Sequence, residues 1–246
     1  MSEALIERFR RQRRDSGLAI LEGFHALKHA LRFGADVVEV LAVDPDELRR
    51  LAAELAPDLA GALDGRVVRA DAESLAALAP QAPHTGVVAV ARRPPVDVTE
   101  ALADPRPAPV VLLEDPRRTN NIGVCVRVAA AAGAAAVLTT GRVDPWHPDS
   151  LRAAAGLHFA LPVTRVDALP ECDRPLVAVD PEGRDIRTAE PSPRAILAFG
   201  TERHGLSPEL LGRADARLGL PMREGVSSLN LATAVAAVLF NLGPPS

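Results

Sequence analysis

Residues 110–127 read VVLLEDPRRTNNIGVCVR, and this stretch decides the fold class. Its first part, Val110–Leu113, is apolar throughout, which predicts a strand buried on both faces of a sheet. A polar loop follows, and the pattern of Ile122–Ala132 predicts a helix. Asparagine is a favoured helix N-cap, so Asn121 is predicted to cap this helix. Strand, loop and helix in this order form the repeating unit of a parallel α/β fold.

The same alternation continues toward the C-terminus. Apolar runs with little polar alternation predict strands that are covered on both faces by helices. The predicted strands are Ala135–Thr139, Ala160–Val163, Leu176–Val179, Ala195–Phe199 and Ala216–Leu220. The predicted helices are Asp149–Ala155, Pro208–Gly212 and Ser228–Leu242, the last of them capped by Ser227 and Ser228.

A second, smaller α/β domain is predicted from residues 18–92, where short apolar runs alternate with amphipathic helical spacing. Prolines are concentrated in residues 93–109, and proline stiffens a connector and interrupts sheet hydrogen bonding. We therefore predict a domain at 1–95, a proline-rich linker at 96–108 that contains a short helix, and a domain at 109–246.

Composition narrows the class of protein. The chain is 48% hydrophobic, yet no apolar run reaches the roughly 18 residues of a membrane helix, and the first residues are charged. Two cysteines without a CxxC pair fit a reducing compartment, so a cytoplasmic protein without membrane association is predicted. The six histidines lack metal-ligand spacing, which argues against a metal site.

The charge distribution leaves two interpretations of the N-terminus. The net charge is −4, but residues 1–14 hold five arginines against two glutamates. These arginines either contact phosphates or form the solvated face of a helix. Aromatic residues make up only 3% of the chain, so any recognition of RNA should depend on shape, phosphates and arginine rather than on base stacking.

Three further segments combine glycine or proline with polar residues at predicted strand ends, where open α/β folds bind ligands. Residues 200–205 read GTERHG, residues 220–222 read LPM, and residues 227–230 read SSLN. Turn geometry and helix capping account for part of each segment. Arg127 stands among apolar residues in a helix predicted to be mostly buried, where an arginine needs a paired anion or a functional role.

The pattern N-x-G-x-x-x-R, then G-x-E-x-x-G, then L-P-M…S-S-L-N resembles that of the SpoU/TrmH family of RNA 2′-O-ribose methyltransferases, in the SPOUT superfamily. The resemblance covers residues 110–242. Glu22-Gly23 and His84-Thr85-Gly86 are similar to signatures of the substrate-binding domain that often precedes it. The loop from Asp115 to Asn121 is longer than the family's common D-P-x-N, and its Arg117 and Arg118 either add phosphate contacts or are simply solvated.

The resemblance implies a C-terminal trefoil knot, S-adenosylmethionine as cofactor, no metal, and a homodimer in which the first-motif helix and the C-terminal helix pack across the interface. The expected partner is RNA, with rRNA favoured over tRNA. The residues implied to hold the cofactor are Gly200, Leu220, Met222 and Leu229. The residues implied to surround the reacting ribose are Asn121, Arg127, Glu202, Ser228 and Asn230.

The chemistry explains those residue types. A ribose 2′-hydroxyl is a weak nucleophile that must lose its proton during attack, while methyl transfer needs mainly positioning. The family assigns the arginine at Arg127 a part in activating the hydroxyl. Because the arginine pKa is very high, Arg127 could instead anchor phosphate or stabilise the developing alkoxide.

Three alternatives remain beside an rRNA 2′-O-methyltransferase. They are a tRNA 2′-O-methyltransferase, a catalytically inactive RNA-binding relative that acts in ribosome assembly, and an unrelated α/β enzyme for a small ligand. The chain has no G-x-G-x-x-G fingerprint, which argues against a dinucleotide-binding Rossmann domain. Failure to bind S-adenosylmethionine would favour the inactive relative.

Overall fold

The computed structural model describes residues 3–63, 65–78, 84–201, 204–226 and 228–242. The chain divides into two compact units. The first comprises residues 1–95 together with 154–160, and the second comprises residues 96–153 together with 161–246.

The first unit is a four-stranded sheet with helices. Its strands are β1 (Leu18–Glu22), β2 (Val37–Ala42), β3 (Val67–Arg69) and β4 (Val87–Arg92). Its helices are α1 (Glu3–Arg14), α2 (Phe24–Arg32), α3 (Pro45–Leu55) and α4 (Ala72–Leu78), with a 3-10 turn at Pro57–Leu63. The strand order is β1-β4-β2-β3, in which β4 is antiparallel to β1 and β2 while β3 is parallel to β2. The predicted small α/β domain is confirmed.

The two signature segments of this unit meet at the start of α2. The backbone N–H of Gly23 donates to the Val87 carbonyl at 2.8 Å, and the N–H of Phe24 donates to Thr85 Oγ1 at 3.0 Å. Because Thr85 satisfies a first-turn N–H of α2, it acts as a cap supplied from another part of the chain. Thr85 therefore has a structural role in this unit.

The arginines of α1 divide into two groups. Arg13 pairs with the buried Glu22 at 3.1 Å, and Arg8 pairs with Glu39, so these two tie α1 to the sheet. Arg11 and Arg14 are exposed. The segment is a helix, and the choice between a phosphate-binding face and a solvated face stays open. Arg11 and Arg14 are exposed arginines that could meet a phosphate, and the side chain of Arg10 lies outside the described residues.

The second unit is a six-stranded, entirely parallel sheet of order β10-β8-β9-β5-β6-β7. Its strands are β5 (Val110–Leu113), β6 (Ala136–Thr139), β7 (Val163–Arg165), β8 (Leu176–Asp185), β9 (Ile196–Phe199) and β10 (Ala216–Gly219). Its helices are α5 (Val98–Ala103), α6 (Thr119–Ala131), α7 (Pro148–Ala153), α8 (Pro208–Arg213) and α9 (Leu231–Asn241). The predicted parallel α/β domain is confirmed.

The parallel arrangement gathers the motif loops at one edge of this sheet. Leu113 pairs with Phe199 at the carboxyl ends of β5 and β9, so the loops that begin at residues 114 and 200 start side by side. β10 also ends at this edge, and the loop of residues 220–230 follows it. Ligands of open parallel sheets bind at such an edge.

One predicted strand is misplaced. The strand predicted at Ala160–Val163 is β7, which starts only at Val163. Gly156 adopts a left-handed conformation (φ 77°) and is followed by a 3-10 turn at Leu157–Phe159. The apolar run therefore includes residues before Val163 that do not pair in the sheet. Hydrophobicity alone cannot distinguish strand residues from apolar turn residues.

The proline-rich segment 96–108 belongs to the second unit, where Ala101, Leu102 and Ala108 join the core around β5. The segment is also held by Arg174, which is only 4% exposed. Its guanidinium donates to the carbonyl oxygens of Leu102, Asp104, Ala108 and Arg194 at distances of 2.7 to 2.9 Å. Burial lowers the pKa of Arg174, and these four acceptors compensate for the lost hydration.

Replacing Arg174 with methionine is expected to lower the free energy of unfolding by about 2–3 kcal/mol, because methionine fills similar space but leaves the carbonyls without a donor. Urea denaturation followed by circular dichroism measures the change. Arg142→Met is the matched control, because Arg142 is exposed in the same unit and should shift stability by less than about 0.5 kcal/mol. Equal midpoints for the two variants would contradict the role of Arg174.

Candidate active site

The loop after β9 is closed by two backbone hydrogen bonds. Thr201 N–H donates to the Gly205 carbonyl, and Gly205 N–H donates to the Thr201 carbonyl, both at 3.0 Å. A Cβ on Gly200 would lie 2.0 Å from the Gly205 carbonyl carbon and 2.2 Å from the Leu206 nitrogen. Only glycine fits at position 200 without opening the loop. Glu202, predicted to face the ribose, lies outside the described residues.

A cavity of about 280 Å³ opens beside Gly200. Its walls come from the middle of β8, the end of β9 with the loop that follows it, the loop after β10 and the first turn of α9. All four residues predicted to hold a cofactor line it, namely Gly200, Leu220, Met222 and Leu229. Ser228, predicted to face the ribose, lines it as well. The walls are mainly apolar with a few polar groups, as in sites for small organic ligands.

Close to this cavity, β8 passes tightly against β10. A Cβ on Gly183 would lie 2.4 Å from the Leu218 carbonyl carbon, and one on Gly219 would lie 2.9 Å from the Asp180 carbonyl oxygen. Both positions therefore require glycine. The Asp180 side chain, which lines the cavity, accepts a hydrogen bond from Arg217 at 2.7 Å, and this carboxylate raises the pKa of Arg217.

A second, larger cavity of about 1010 Å³ adjoins the first. The two cavities share Thr201, Gly205, Ser228 and Leu229. The larger one is more polar than the smaller one, and five ionisable residues line it. These are Glu114, Asp115, Arg117, Arg118 and His204, and Asn230 lines it too. Groups bound in the two cavities would meet across the four shared residues.

Asn230 joins the last helix to the first-motif helix. Its Oδ1 accepts the N–H of Ala232 at 3.0 Å, which makes Asn230 the N-cap of α9. Its Nδ2 donates to Asn121 Oδ1 at 3.3 Å. The predicted cap at Ser227 and Ser228 is wrong for Ser228, because α9 begins only at Leu231, and Ser227 lies outside the described residues.

The predicted N-cap role of Asn121 is also wrong. α6 begins at Thr119, and Arg118 occupies the N-cap position without a side-chain cap bond. Asn121 instead lies in the first turn of the helix, where its side chain is available to Asn230. The partner of the Asn121 side chain is Asn230, which is 109 residues away in sequence. Local propensity considers only neighbouring residues, so it predicted a cap instead of this contact.

Gly123, the glycine of the first motif, has a packing role that the sequence did not reveal. A Cβ there would lie 2.2 Å from the Ser150 carbonyl oxygen and 2.8 Å from Ala153 Cβ. Helices α6 and α7 therefore approach too closely for any side chain at this position. This contact fixes the helix that carries Asn121.

The prediction that Arg127 is buried is wrong. α6 buries the face that carries Ile122, Cys125 and Ala129, and Arg127 lies on an exposed face. Val124, one turn earlier on the helix, is also exposed, at 38%. The apolar neighbours of Arg127 in sequence point in other directions because successive helix residues are about 100° apart. In the described part of the chain, Arg127 lines neither cavity.

Replacing Asn230 with alanine is expected to lower the free energy of unfolding by about 1 kcal/mol, because the α9 cap is lost. Thermal or urea unfolding measures the effect. Asn241→Ala at the other end of α9 is the control, since Asn241 is exposed and caps nothing at the helix start. If both variants unfold at the same midpoint, the cap is not a stabilising contact.

No cluster of three or more histidine, cysteine, aspartate or glutamate side chains among the described residues could hold a metal ion. Within the same ranges, every helix is too short or too polar to cross a membrane.

Comparison with known proteins places this site in a family. The model of the SpoU rRNA methylase family matches residues 108–240, and that of the RNA 2′-O ribose methyltransferase substrate-binding domain matches residues 20–96. The chain is 30% identical to the 23S rRNA (guanosine(2553)-2′-O)-methyltransferase RlmP of Bacillus subtilis, over 95% of this chain and 91% of that protein. It is 30% identical to the tRNA (guanosine(18)-2′-O)-methyltransferase of Thermus thermophilus, over 58% of this chain and 78% of that protein.

A solved structure resembles this chain over the residues that match both family models. The SpoU methyltransferase AviRb from Streptomyces viridochromogenes, in complex with the cofactor AdoMet, superposes with a TM-score of 0.80 at 25% identity, covering 98% of this chain and 97% of that one. Both the sequence motifs and the presence of the two units are therefore accounted for by one family. The chain belongs to the SpoU rRNA methylase family.

Proposed function

We propose that the protein transfers a methyl group from S-adenosylmethionine to the 2′-hydroxyl of a ribose in ribosomal RNA. The observation that carries this proposal is the pair of adjoining cavities at the carboxyl edge of the parallel sheet. One is small and mainly apolar, and the other is large and polar, as a cofactor and a nucleic acid require. Membership of an RNA methyltransferase family supports the same reaction.

The smaller cavity suits S-adenosylmethionine. Its walls combine apolar side chains with the backbone of a loop in which Gly200 leaves no room for a Cβ. We assign Gly200, Leu220, Met222 and Leu229 to binding of the cofactor. S-adenosylmethionine supplies an electrophilic methyl group when it is bound, and no metal is needed for its transfer.

The larger cavity suits the acceptor nucleotide. Ser228 lies on the boundary between the cavities, and Asn230, held against Asn121, lines the larger one. These three side chains can orient a ribose by hydrogen bonds, and orientation supplies much of the acceleration in a displacement reaction. A role for Glu202 beside them stays a prediction.

A homodimer would explain the position of Arg127. α6 and α9 pack against each other, and both carry exposed large hydrophobic side chains, Val124 at 38% and Phe240 at 56%. A second copy packed on these helices would cover those side chains. The exposed Arg127 would then be directed to the site of the other protomer, where it stabilises the developing alkoxide or anchors RNA phosphate.

Further assignments rest on the same family. The trefoil knot is proposed for the C-terminal domain on the family resemblance alone. Residues 1–95 are proposed to bind RNA, supported by the substrate-binding match and by the exposed Arg11 and Arg14. The boundaries at 95 and 108 and the cytoplasmic location stay predictions.

Ribosomal RNA is preferred to tRNA as the substrate because the relative named for rRNA aligns with more of this chain than the relative named for tRNA does. The Bacillus relative named for 23S rRNA aligns with 95% of this chain, which includes both units. The Thermus relative named for tRNA aligns with only 58%. The alignment with the Bacillus relative therefore includes the residues that match the substrate-binding model.

The deciding experiment is transfer of labelled methyl groups from S-adenosylmethionine to separate unmethylated rRNA and tRNA pools. Label in rRNA is expected, and it should be recovered in alkali-resistant dinucleotides, because a methylated 2′-hydroxyl cannot attack the neighbouring phosphate. Label in tRNA would select the tRNA alternative. No label and no cofactor binding by calorimetry would select the inactive RNA-binding relative.

A further inference from the structure

We infer that Arg118 is a positioning residue that binds an RNA phosphate next to the acceptor ribose. The inference rests on the proposed function, because it assumes that the larger cavity receives RNA. It concerns the loop of residues 114–118, which connects β5 to α6 and ends at Arg118. A phosphate held there would set the register of the strand along the site.

The charges of the larger cavity are mostly engaged within the protein. Asp115 Oδ2 lies 2.5 Å from a terminal nitrogen of Arg117, so these two form an ion pair. Glu114 Oε2 accepts the backbone N–H of Ser207 at 2.7 Å. Both carboxylates and one of the two arginines therefore already have partners.

Arg118 differs from Arg117 in this respect. Its side chain is exposed and lines the larger cavity. It makes no cap bond to α6, and within the described ranges its guanidinium has neither a hydrogen bond nor an ion pair. A guanidinium presents donors in a planar fork that matches two phosphate oxygens, so an RNA phosphate is the anion that this chemistry selects.

The place of Arg118 connects that phosphate to the reaction. Arg118 shares its cavity with Ser228 and Leu229, which also line the cofactor cavity. A strand that presents a ribose at Ser228 must cross the larger cavity, and its backbone would pass the Arg118 side chain. Phosphate contacts of this kind fix register without reading sequence.

The test compares Arg118→Gln with Arg117→Gln. Both changes remove one positive charge from the same exposed loop, but Arg117 is already paired with Asp115. Binding of a fluorescent 23S rRNA transcript is measured by anisotropy at several salt concentrations, and methyl transfer is measured on the same RNA. Circular dichroism checks that each variant is folded.

Arg118→Gln is expected to weaken RNA binding and raise the KM for RNA about tenfold. The slope of log affinity against log salt should fall by about 0.7, because one fewer counterion is released from single-stranded RNA. The kcat and the affinity for S-adenosylmethionine should stay within twofold of wild type. Arg117→Gln should change the KM by less than about threefold, and Arg118→Lys should restore the salt slope.

The failure of this inference can be told apart from failure of the proposed function. If the wild-type protein binds the transcript but transfers no methyl group, the proposed reaction is wrong, and the salt slopes still decide the role of Arg118. If Arg118→Gln keeps the wild-type salt slope and KM, the inference is overturned. It is equally overturned if the two glutamine variants lose RNA affinity to the same extent.

Discussion

Replacing Arg127 with alanine is expected to slow methyl transfer about 10²–10³-fold while leaving the affinity for S-adenosylmethionine unchanged. The 2′-hydroxyl develops negative charge as it loses its proton, and removal of one group that stabilises such charge costs a factor of this size. Cofactor affinity should be unaffected because, among the described residues, Arg127 is absent from the lining of the cofactor cavity. Single-turnover kinetics and calorimetry measure the two quantities separately.

Arg49→Ala serves as the control, because Arg49 is also an exposed helix arginine but lies in the first unit, on α3. Its rate should equal that of wild type. Wild-type activity of Arg127→Ala would exclude both a chemical and a phosphate-anchoring role for Arg127.

Mixing variants tests whether Arg127 acts across a dimer. Chains carrying Arg127→Ala keep an intact cofactor cavity, and chains carrying Gly200→Ala keep Arg127. If each site combines the cavity of one protomer with Arg127 of the other, mixed dimers should recover activity at one of their two sites. If both residues act within one chain, the mixture should stay as inactive as either variant alone.

Replacing Gly200 with alanine is expected to weaken S-adenosylmethionine binding by at least about 100-fold, which corresponds to roughly 2.7 kcal/mol. The new methyl group would lie 2.0 Å from the Gly205 carbonyl carbon, so the pair of hydrogen bonds between Thr201 and Gly205 could not stay in place. The atoms that it meets belong to the backbone and cannot rotate away. Isothermal titration calorimetry measures the loss.

Gly212→Ala is the matched control for this variant. A Cβ on Gly212 meets no atom within 4 Å, and the residue lies in α8, so alanine there should be neutral or stabilising by up to about 1 kcal/mol. Cofactor affinity of Gly200→Ala within threefold of wild type would show that the closed loop is not part of the cofactor site.

Local sequence patterns were enough to predict one strand to the residue, and they account for helix starts of the same kind. β5, within Val110–Leu113, is an uninterrupted apolar run that ends in charged residues, and the structure has the same bounds. In the structure α3 likewise begins after Asp44, whose side chain accepts N–H groups of its first turn, and Pro45 occupies its first position. In these cases every determinant lies within a few residues of the element.

The helix starts at the candidate site could not be obtained in this way. Asn121 and Asn230 are 109 residues apart in sequence, yet their side chains form one hydrogen bond. That bond accompanies a helix start two residues before Asn121 and a cap at Asn230 rather than at Ser228. The exposure of Arg127 depends likewise on which face of α6 packs against the sheet and α9. The apolar residues next to Arg127 in sequence did not reveal that face.

The sequence by itself determined the order of strands and helices, the parallel sheet, and the three loops that carry the motifs, because apolar periodicity and turn residues act over short distances along the chain. Only the tertiary structure decided what those loops build. The passage of Gly183 against Leu218 and the close packing of Gly123 on Ser150 are backbone approaches between separate segments, and the closure of Gly200 on Gly205 is a backbone approach within one loop. Their energies arise from packing in three dimensions, and local propensity contains no term for them.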